Sequence, residues 1–266
     1  MSKAVLYDAN KCIGCRACQI ACKQWNELPD DKTSNYGTYE NPPKLNARTY
    51  TKIQFKEIEI ESKFHFLFTK VQCMHCEHPA CVAACPVAAL QKTDSGPVTY
   101  DDSKCFGCRY CMVACPFGIP NFEWDDPLPW IRKCTFCADR QSSGLKPACV
   151  STCPTGALQY GERDILIDEA RKRIASHPTE YVDHIYGEKE AGGTSWLYLS
   201  PVPFKILGFP DLGSEPVTLN VERTMGAIPA VLVGVAAAMS GIYWIVQRQQ
   251  KLDRKTEGKK REGAIK

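Results

Sequence analysis

The sequence predicts an α+β protein with one C-terminal transmembrane helix, and three observations lead to this prediction. Sixteen cysteines fall into four groups of four. Two neighbouring segments alternate apolar and polar residues as β-strands do, and a later segment repeats apolar residues with the period of a helix. Near the C-terminus, 24 consecutive residues carry no charge.

The first and third cysteine groups share the spacing C-x2-C-x2-C-x3-C, which bacterial ferredoxins use to bind [4Fe-4S] clusters. Residues 7–22 read YDANKCIGCRACQIAC, and residues 100–115 read YDDSKCFGCRYCMVAC. The second and fourth groups each widen one gap and repeat each other in the surrounding residues, so the chain has an internal duplication of the order A-B-A′-B′. The four groups are Cys12, Cys15, Cys18 and Cys22; Cys73, Cys76, Cys81 and Cys85; Cys105, Cys108, Cys111 and Cys115; and Cys134, Cys137, Cys149 and Cys153.

Three cysteines at i, i+3 and i+6 let a tight loop surround one cluster and turn its backbone N–H groups toward the sulfurs. Gly14 and Gly107 lie where such a loop needs backbone freedom or close approach. The fourth cysteine is expected to open a helix, because Pro86, Pro116 and Pro154 follow it and suit a first helical turn.

The sequence gives less support to other roles for the thiols. A disulfide framework is typical of short secreted chains, and the start MSKAVLYDANKC has neither an apolar h-region nor a cleavage site. Cys134, Cys137, Cys149 and Cys153 alone could form a zinc ribbon, but zinc does not explain the loops at 12–18 and 105–111. His75 and His78 could ligate iron, although hydrogen bonding near a cluster is favoured because each group already has four cysteines.

The segments between the cysteine groups have their own patterns. Residues 53–60 and 64–68 alternate, with a break at 61–63, and predict a β-hairpin that either covers the clusters or contacts a catalytic subunit. Residues 164–176 predict a helix that ends at His177-Pro178. Residues 179–222 are rich in Pro and Gly and predict an extended arm, in which Gly192-Gly193 lacks the context of a phosphate loop.

Residues 224–247 are long enough to cross a bilayer as a helix, the alternative being a buried helix of a soluble protein. Gly226, Ala230, Gly234 and Ala238 recur every four residues and would permit close packing against a helix of another subunit. The tail 248–266 has a net charge of +5, so the positive-inside rule predicts a cytoplasmic C-terminus and a cluster domain outside. The rest of the chain has a net charge of −2, and each oxidised cluster with its thiolates adds about −2, which argues against nucleic-acid binding.

Several longer stretches carry a family resemblance: CIGCRACQIACKQWNELP (12–29), YENPPKLNARTYTKIQF (39–55), CMHCEHPACVAACP (73–86), CFGCRYCMVACPFGIP (105–120), KCTFCADR (133–140), PACVSTCPTGAL (147–158) and AGGTSWLYL (191–199). From about Cys12 to Gln247 the chain resembles the iron–sulfur beta subunit of membrane-bound formate dehydrogenases. The four-group cysteine pattern is common to electron-transfer subunits of molybdopterin oxidoreductases. The stretches at 39–55 and 191–199 and the C-terminal span favour the formate dehydrogenase type.

The cysteine pattern alone allows two pairings: adjacent groups, or the first group with the fourth around the second with the third. The resemblance implies the nested arrangement, as two bacterial-ferredoxin-like dicluster folds that hold four [4Fe-4S] clusters. The implied ligand sets are Cys12, Cys15, Cys18 and Cys153 (set 1); Cys22, Cys134, Cys137 and Cys149 (set 2); Cys73, Cys76, Cys81 and Cys115 (set 3); and Cys85, Cys105, Cys108 and Cys111 (set 4).

The resemblance also implies an electron-transfer role without catalytic residues. Electrons would pass from a molybdenum or tungsten molybdopterin alpha subunit to a membrane cytochrome b gamma subunit, contacted by the transmembrane helix, and on to quinone. The cluster domain would be periplasmic and exported together with its partner, with a cytoplasm-facing domain as the alternative. Other complexes remain open: a polysulfide or thiosulfate reductase, a quinone-linked hydrogenase, or a stand-alone membrane-anchored ferredoxin.

The expected domain boundaries follow these assignments. They are a tandem cluster domain at 1–178 with an insert at 23–72 and an inner fold at about 73–133, the arm at 179–222, the transmembrane helix at 223–247 and the basic tail at 248–266. Lys11, Arg16, Lys104 and Arg109 lie beside the two ferredoxin-type loops. They either form a solvated surface or stabilise the reduced clusters and raise their potentials, and the second role is favoured.

Overall fold

The computed structural model describes residues 2–60, 62–124, 127 and 129–263, and it describes residues 63, 220–222, 224–225 and 253–263 by their backbone alone. Glu61 of the predicted turn and residues 264–266 of the predicted tail lie outside the described residues. Contacts divide the chain into two units, Met1–Thr218 and Leu219–Lys266, each of which is described by itself.

The first unit is a mixed α/β structure of short elements, as the sequence predicts. Its strands are β1 (Lys3–Asp8), β2 (Thr51–Ile60), β3 (Lys63–Gln72), β4 (Leu90–Lys92), β5 (Val98–Tyr100), β6 (Asn121–Phe122), β7 (Ile131–Arg132), β8 (Leu158–Glu162) and β9 (Trp196–Leu199). Its helices are α1 (Ala17–Trp25), α2 (Ala80–Ala83), α3 (Tyr110–Ala114), α4 (Ala138–Ser142), α5 (Ala148–Ser151) and α6 (Arg163–Ser176).

A three-stranded sheet of order β8-β1-β9 lies at the centre of this unit. β1 pairs antiparallel with β8 and parallel with β9, so it is a central strand without a free edge. Its apolar run AVLY is buried on both faces because the strand separates two cores. Ala4 and Leu6 pack with α6 on one face, and Val5 and Tyr7 face the cysteine-containing core on the other.

The helix predicted at 164–176 is confirmed as α6, which ends at Ser176 with His177 as its C-cap. One ion pair anchors it to the sheet. Arg173 Nη1 lies 3.1 Å from Oδ2 of the buried Asp8, and the Tyr181 hydroxyl donates to the same oxygen at 3.0 Å. A buried carboxylate needs such partners, since an unpaired charge in the interior is costly.

The predicted β-hairpin is confirmed as β2 and β3, which pair antiparallel from Thr51↔Gln72 to Ile60↔Lys63. Phe55, Phe66 and Phe68 lie on one face, and their rings pack against one another at centroid distances of 5.0 to 6.0 Å. The outer end of the hairpin is exposed, whereas Ile53 and Lys70 near its base are buried.

The predicted extended arm at 179–222 is wrong. This segment supplies β9 to the central sheet, and Trp196, Leu197, Tyr198 and Leu199 are fully buried. The prediction failed because β9 is only four residues long and buried on both faces, so it shows no alternation, and its partner β1 is distant in sequence. The first compact unit accordingly extends to Thr218 and not only to residue 178.

The prediction that the fourth cysteine opens a helix is also wrong. Cys22 lies inside α1, and Cys85, Cys115 and Cys153 come after the ends of α2, α3 and α5. In each group the helix begins one residue before the third cysteine, which therefore lies in the first turn. The following prolines lie in turns.

The second unit is a single helix, α7 (Leu219–Gly263), which contains Pro229. It begins earlier than the predicted span and continues through most of the segment for which a basic tail was predicted. Within it, Gly226–Leu252 is the one stretch among the described residues that is long and apolar enough to cross a membrane, and none of it is buried. This stretch overlaps the predicted span at 224–247 and fits a membrane anchor.

The burial of β9 can be tested with Leu197→Ala. Truncating a fully buried leucine should lower the free energy of unfolding by about 2–5 kcal/mol, because it removes apolar contact and leaves a cavity. Chemical denaturation of the anaerobically purified protein measures this change. Ile165→Ala on the exposed side of α6 is the control and should cost less than about 0.5 kcal/mol. Equal effects of the two changes would contradict the core position of β9.

Candidate iron–sulfur centres

All four cysteine groups form the same backbone turn just before their second cysteine. The residue at that position has a positive φ in every group: +68° at Gly14, +48° at His75, +76° at Gly107 and +56° at Phe136. The expectation that Gly14 and Gly107 supply backbone freedom is confirmed, and a Cβ on Gly14 would also lie 2.7 Å from the ring of Phe68. The same backbone turn therefore occurs in all four cysteine groups, although only the first and third groups have a glycine at that position.

His75 and Phe136 occupy the glycine position of the B repeats, where a positive φ strains a residue with a side chain. Their rings stack on each other with centroids 4.8 Å apart and an interplanar angle of 23°. Val98 N–H also donates to His75 Nδ1 at 2.9 Å, so His75 carries its proton on Nε2, which is buried and has no partner among the described residues. This packing between the second and fourth cysteine groups stabilises both strained turns.

Backbone N–H groups point at several sulfurs, as the loop spacing predicts. Ala89 N donates to Cys85 Sγ at 3.2 Å, Phe136 N to Cys134 Sγ at 3.3 Å and Gly107 N to Cys105 Sγ at 3.4 Å. Such hydrogen bonds stabilise negative charge on a thiolate and favour the reduced form of a cluster bound to it.

Two small cavities are each lined by four cysteines from distant parts of the chain. Cys12, Cys15 and Cys18 of the first group surround one cavity together with Cys153 of the fourth. Cys105, Cys108 and Cys111 of the third group surround another together with Cys85 of the second. In both cavities three sulfurs come from one loop and the fourth comes from another group.

The remaining eight cysteines also lie near sulfurs from other groups. Burial raises the pKa of Cys22 to about 12, and among the sulfurs those of Cys149 and Cys137 add most to this shift. Burial likewise raises the pKa of Cys76, and Cys73, Cys115 and Cys81 raise it further. The structure thus brings together Cys22, Cys137 and Cys149, with Cys134 next to Cys22, and it brings Cys73, Cys76 and Cys81 close to Cys115.

The chemistry of these groups fits iron–sulfur clusters. Burial raises the pKa of Cys18 and Cys81 to about 12 and that of Cys111 and Cys137 to about 11, so clustered thiolates need a positive partner at neutral pH. None of the sixteen cysteines forms a disulfide. Among the described residues, no group of three or more Cys, His, Asp or Glu side chains is close enough together to hold a single metal ion. A four-iron cluster supplies positive charge over a larger volume.

Sequence reasoning missed Lys70, which lies in the interior between cysteine groups. Its side chain lines the cavity of Cys12, Cys15, Cys18 and Cys153. Burial by itself would lower the pKa of Lys70, but the nearby sulfurs, of which Cys149 and Cys18 act most strongly, raise it. In a strand that alternates apolar and polar residues, a lysine is usually expected on the solvent-facing side. The one sequence feature that pointed to burial is that Lys70 lies on the same face of the strand as Phe66 and Phe68.

The four loop cations named from the sequence all have partners in the protein. Lys11 Nζ lies 3.9 Å from Asp8 Oδ2, and Lys104 Nζ lies 2.8 Å from Asp101 Oδ2. The Arg16 guanidinium lies 4.7 Å from the centre of the Phe55 ring, and that of Arg109 lies 5.1 Å from the Trp124 ring. Their effect on cluster potentials stays a prediction.

The Gly192-Gly193 segment packs against the second cysteine group. Glu77 N donates to Gly193 O at 2.9 Å, Ser195 N donates to Met74 O at 3.1 Å, and Thr194 pairs with Cys76. His78 is exposed next to this segment, in contrast to the buried His75. The segment is therefore a cover over the cysteine loop.

Comparison with known proteins agrees with this site. Residues 64–163 match the family model described as "4Fe-4S dicluster domain", and residues 3–24 match the "4Fe-4S binding domain". The chain is 37% identical to the iron–sulfur subunit of the nitrate-inducible formate dehydrogenase of Escherichia coli K12, over 91% of this chain and 83% of that protein. It is 38% identical to the formate dehydrogenase iron–sulfur subunit of Haemophilus influenzae, over 90% of this chain and 77% of that protein. It is also 34% identical to the hydrogenase-2 operon protein HybA of Escherichia coli O157:H7, over 95% of this chain and 86% of that protein.

The sixteen cysteines, the matches to two 4Fe-4S family models and the extent of these similarities agree with one another. The chain belongs to the family of the formate dehydrogenase iron–sulfur subunits and carries four [4Fe-4S] clusters.

Proposed function

We propose that the protein is the non-catalytic electron-transfer subunit of a membrane-bound formate dehydrogenase. Single electrons pass through its four clusters from a molybdopterin-containing formate-oxidising subunit to a membrane cytochrome b and then to quinone. The bound clusters supply the redox chemistry, and the chain contributes their ligands, spacing and electrostatic surroundings. The observation that carries this proposal is the presence of four cysteine sets within one compact unit of 218 residues.

The proposed ligands are the four nested sets: set 1 (Cys12, Cys15, Cys18, Cys153), set 2 (Cys22, Cys134, Cys137, Cys149), set 3 (Cys73, Cys76, Cys81, Cys115) and set 4 (Cys85, Cys105, Cys108, Cys111). The cavities lined by all members of set 1 and of set 4 support this assignment. In sets 2 and 3, sulfurs of the same set raise the pKa of Cys22 and of Cys76, and this proximity supports the assignment further.

Neighbouring sets support a linear relay in the order 1-2-3-4. The nearby sulfur of Cys149 in set 2 raises the pKa of Cys18 in set 1. In the same way, Cys73 of set 3 raises the pKa of Cys134 in set 2. Cys111 of set 4 raises the pKa of Cys81 in set 3. The two end sets lie beneath exposed apolar residues, Ile13 (59% exposed) beside set 1 and Phe106 (65% exposed) beside set 4. Exposed apolar residues at both ends fit contact with two partner subunits.

The helix α7 supports a membrane location for the complex. Its apolar stretch spans Gly226–Leu252, and the basic residues that follow favour a cytoplasmic C-terminus by the positive-inside rule. We propose a cluster domain on the periplasmic side, exported together with a catalytic subunit that carries the signal. A domain that faces the cytoplasm is the alternative.

A second candidate function is electron transfer in a quinone-linked hydrogenase. The similarity to the hydrogenase-2 operon protein HybA covers 95% of this chain, slightly more than the similarity to the formate dehydrogenase subunit of Escherichia coli K12. In that case the donor subunit would oxidise hydrogen in place of formate, and the roles of the four clusters would be the same.

Purification through a C-terminal affinity tag distinguishes the two functions. Under the proposal, a large molybdopterin subunit co-purifies with the chain, and the complex reduces a quinone analogue with formate but not with hydrogen. The measurement is identification of the large subunit by mass spectrometry together with formate-dependent and hydrogen-dependent quinone reduction. Activity with hydrogen alone would assign the chain to a hydrogenase.

The ligand sets can be tested with single cysteine substitutions. Anaerobically prepared wild-type protein should hold about 16 iron atoms, four for each cluster. Cys22→Ser and Cys149→Ser should perturb the same electron paramagnetic resonance signal, because both residues belong to set 2. Cys12→Ser should perturb a different signal, that of set 1.

The adjacent pairing gives a different outcome in the same spectra. If Cys22→Ser perturbs the signal that Cys73→Ser perturbs, the nested assignment is wrong although four clusters are still present. A wild-type content of about eight irons, or stoichiometric zinc, would instead refute the presence of four clusters.

The role of α7 as a docking helix can be tested with Gly234→Leu. Within the described chain nothing lies within 4 Å of a Cβ on Gly234, so the change should leave the cluster spectra intact. A leucine here should keep a partner helix at a distance and weaken binding to the cytochrome, since small residues let membrane helices approach closely and gain van der Waals contact. Quinone reduction should fall, whereas formate-dependent reduction of a soluble dye should survive.

Val233→Leu is the matched control for this substitution, because it adds bulk next to the small-residue positions. If Gly234→Leu behaves like Val233→Leu in co-purification and quinone reduction, α7 is an anchor without a docking role.

A further inference from the structure

Lys70 is a buried cation without a carboxylate partner among the described residues. Its side chain is 1% exposed, and none of the ion pairs in the described chain includes it. The groups around its Nζ are neutral: it donates to Thr51 Oγ1 at 2.5 Å and to Gln72 Oε1 at 3.0 Å, and it lies 4.6 Å from the centre of the Trp196 ring. These contacts orient the ammonium group but leave its charge uncompensated.

An uncompensated charge in a protein interior is costly, so a buried lysine normally has an anionic partner. The candidates near Lys70 are sulfurs. Lys70 lines the cavity of set 1, and the cysteine sulfurs that interact with it most strongly are Cys18 of set 1 and Cys149, Cys134 and Cys22 of set 2. It therefore lies between these two ligand sets.

Set 3 has a different buried lysine as its neighbour, which also contacts the backbone of set 2. Lys133, which is also buried, donates to the carbonyl oxygen of Cys134 at 3.2 Å. Its positive charge acts to lower the pKa of Cys81 in set 3. Lys70 is not among the groups with the largest effects on the pKa of Cys76, Cys81, Cys111 or Cys115. Its charge thus acts more strongly on sets 1 and 2 than on sets 3 and 4.

We propose that Lys70 is the shared counter-charge of the clusters held by sets 1 and 2 and raises both of their reduction potentials relative to those of sets 3 and 4. This inference rests on the proposed ligand sets. Each cluster becomes more negative by one charge when it accepts an electron, so a fixed cation nearby stabilises the reduced state more than the oxidised state. The low-dielectric interior strengthens this attraction compared with that of an exposed lysine.

The test is a redox titration of the purified complex, followed by electron paramagnetic resonance, with Lys70→Met. Methionine keeps much of the length of the side chain and removes the charge. At the wild-type midpoint potential, the ratio of reduced to oxidised cluster should fall at least tenfold for the two signals that Cys12→Ser and Cys22→Ser perturb. This change equals about 59 mV for a one-electron couple. The other two signals should keep their midpoints.

Two further variants serve as controls. Lys70→Arg keeps the charge and should restore midpoints close to those of the wild type. Lys11→Met removes an exposed cation that already pairs with Asp8, and it should shift the same signals much less than Lys70→Met. Iron content is measured for every variant.

Each outcome either supports or overturns the proposed role of Lys70. Unchanged midpoints in a Lys70→Met protein that holds four clusters would overturn the inference, as would an equal shift of all four clusters. If Lys70→Met does not assemble the clusters of sets 1 and 2 but Lys70→Arg does, the positive charge is required at this place and the assignment stands. If Lys70→Arg also fails, Lys70 has a packing role only. A wild-type protein with fewer than four clusters would refute the proposed function itself.

Discussion

The structure depends on bringing sixteen thiol groups close to one another, many of them in the interior. Burial disfavours their ionised form, as the raised pKa values of Cys18, Cys22 and Cys81 illustrate, and ionised sulfurs at such short separation would repel. Iron removes both penalties, because it replaces the thiol protons and supplies positive charge. Cluster binding therefore adds to the free energy of folding, and the polypeptide around the cysteines can be short and irregular.

The rest of the chain holds these loops in place from two sides. The central sheet and α6 form an apolar core of ordinary composition behind the first and fourth groups, and the segment around Gly193 covers the second group. The hairpin of β2 and β3 carries Phe68 against the loop of Gly14 and carries Lys70 inward. A single insert thus contributes both steric support and charge to the cluster site.

Sequence reasoning predicted the parts that depend on local pattern. The cysteine groups, the need for backbone freedom at Gly14 and Gly107, the hairpin and α6 all have signals within a few residues, and the structure agrees. Long-range features were missed or wrongly predicted, because their signal lies in distant partners. β9 was taken for part of an arm since its pairing with β1 joins opposite ends of the domain, and Lys70 looked like a solvent-facing residue of an alternating strand. His75 and Phe136 share the strained turn of the two glycines only because they stack on each other.

The parallel pairing of β1 with β9 has a consequence for the timing of biogenesis. β1 is synthesised well before its partner, which ends at Leu199, shortly before α7 begins at Leu219. The central sheet cannot close until nearly the whole domain has been synthesised, and by then the apolar helix is the next segment to emerge. Closure of the sheet and delivery of the helix to the bilayer therefore fall in the same short interval of translation.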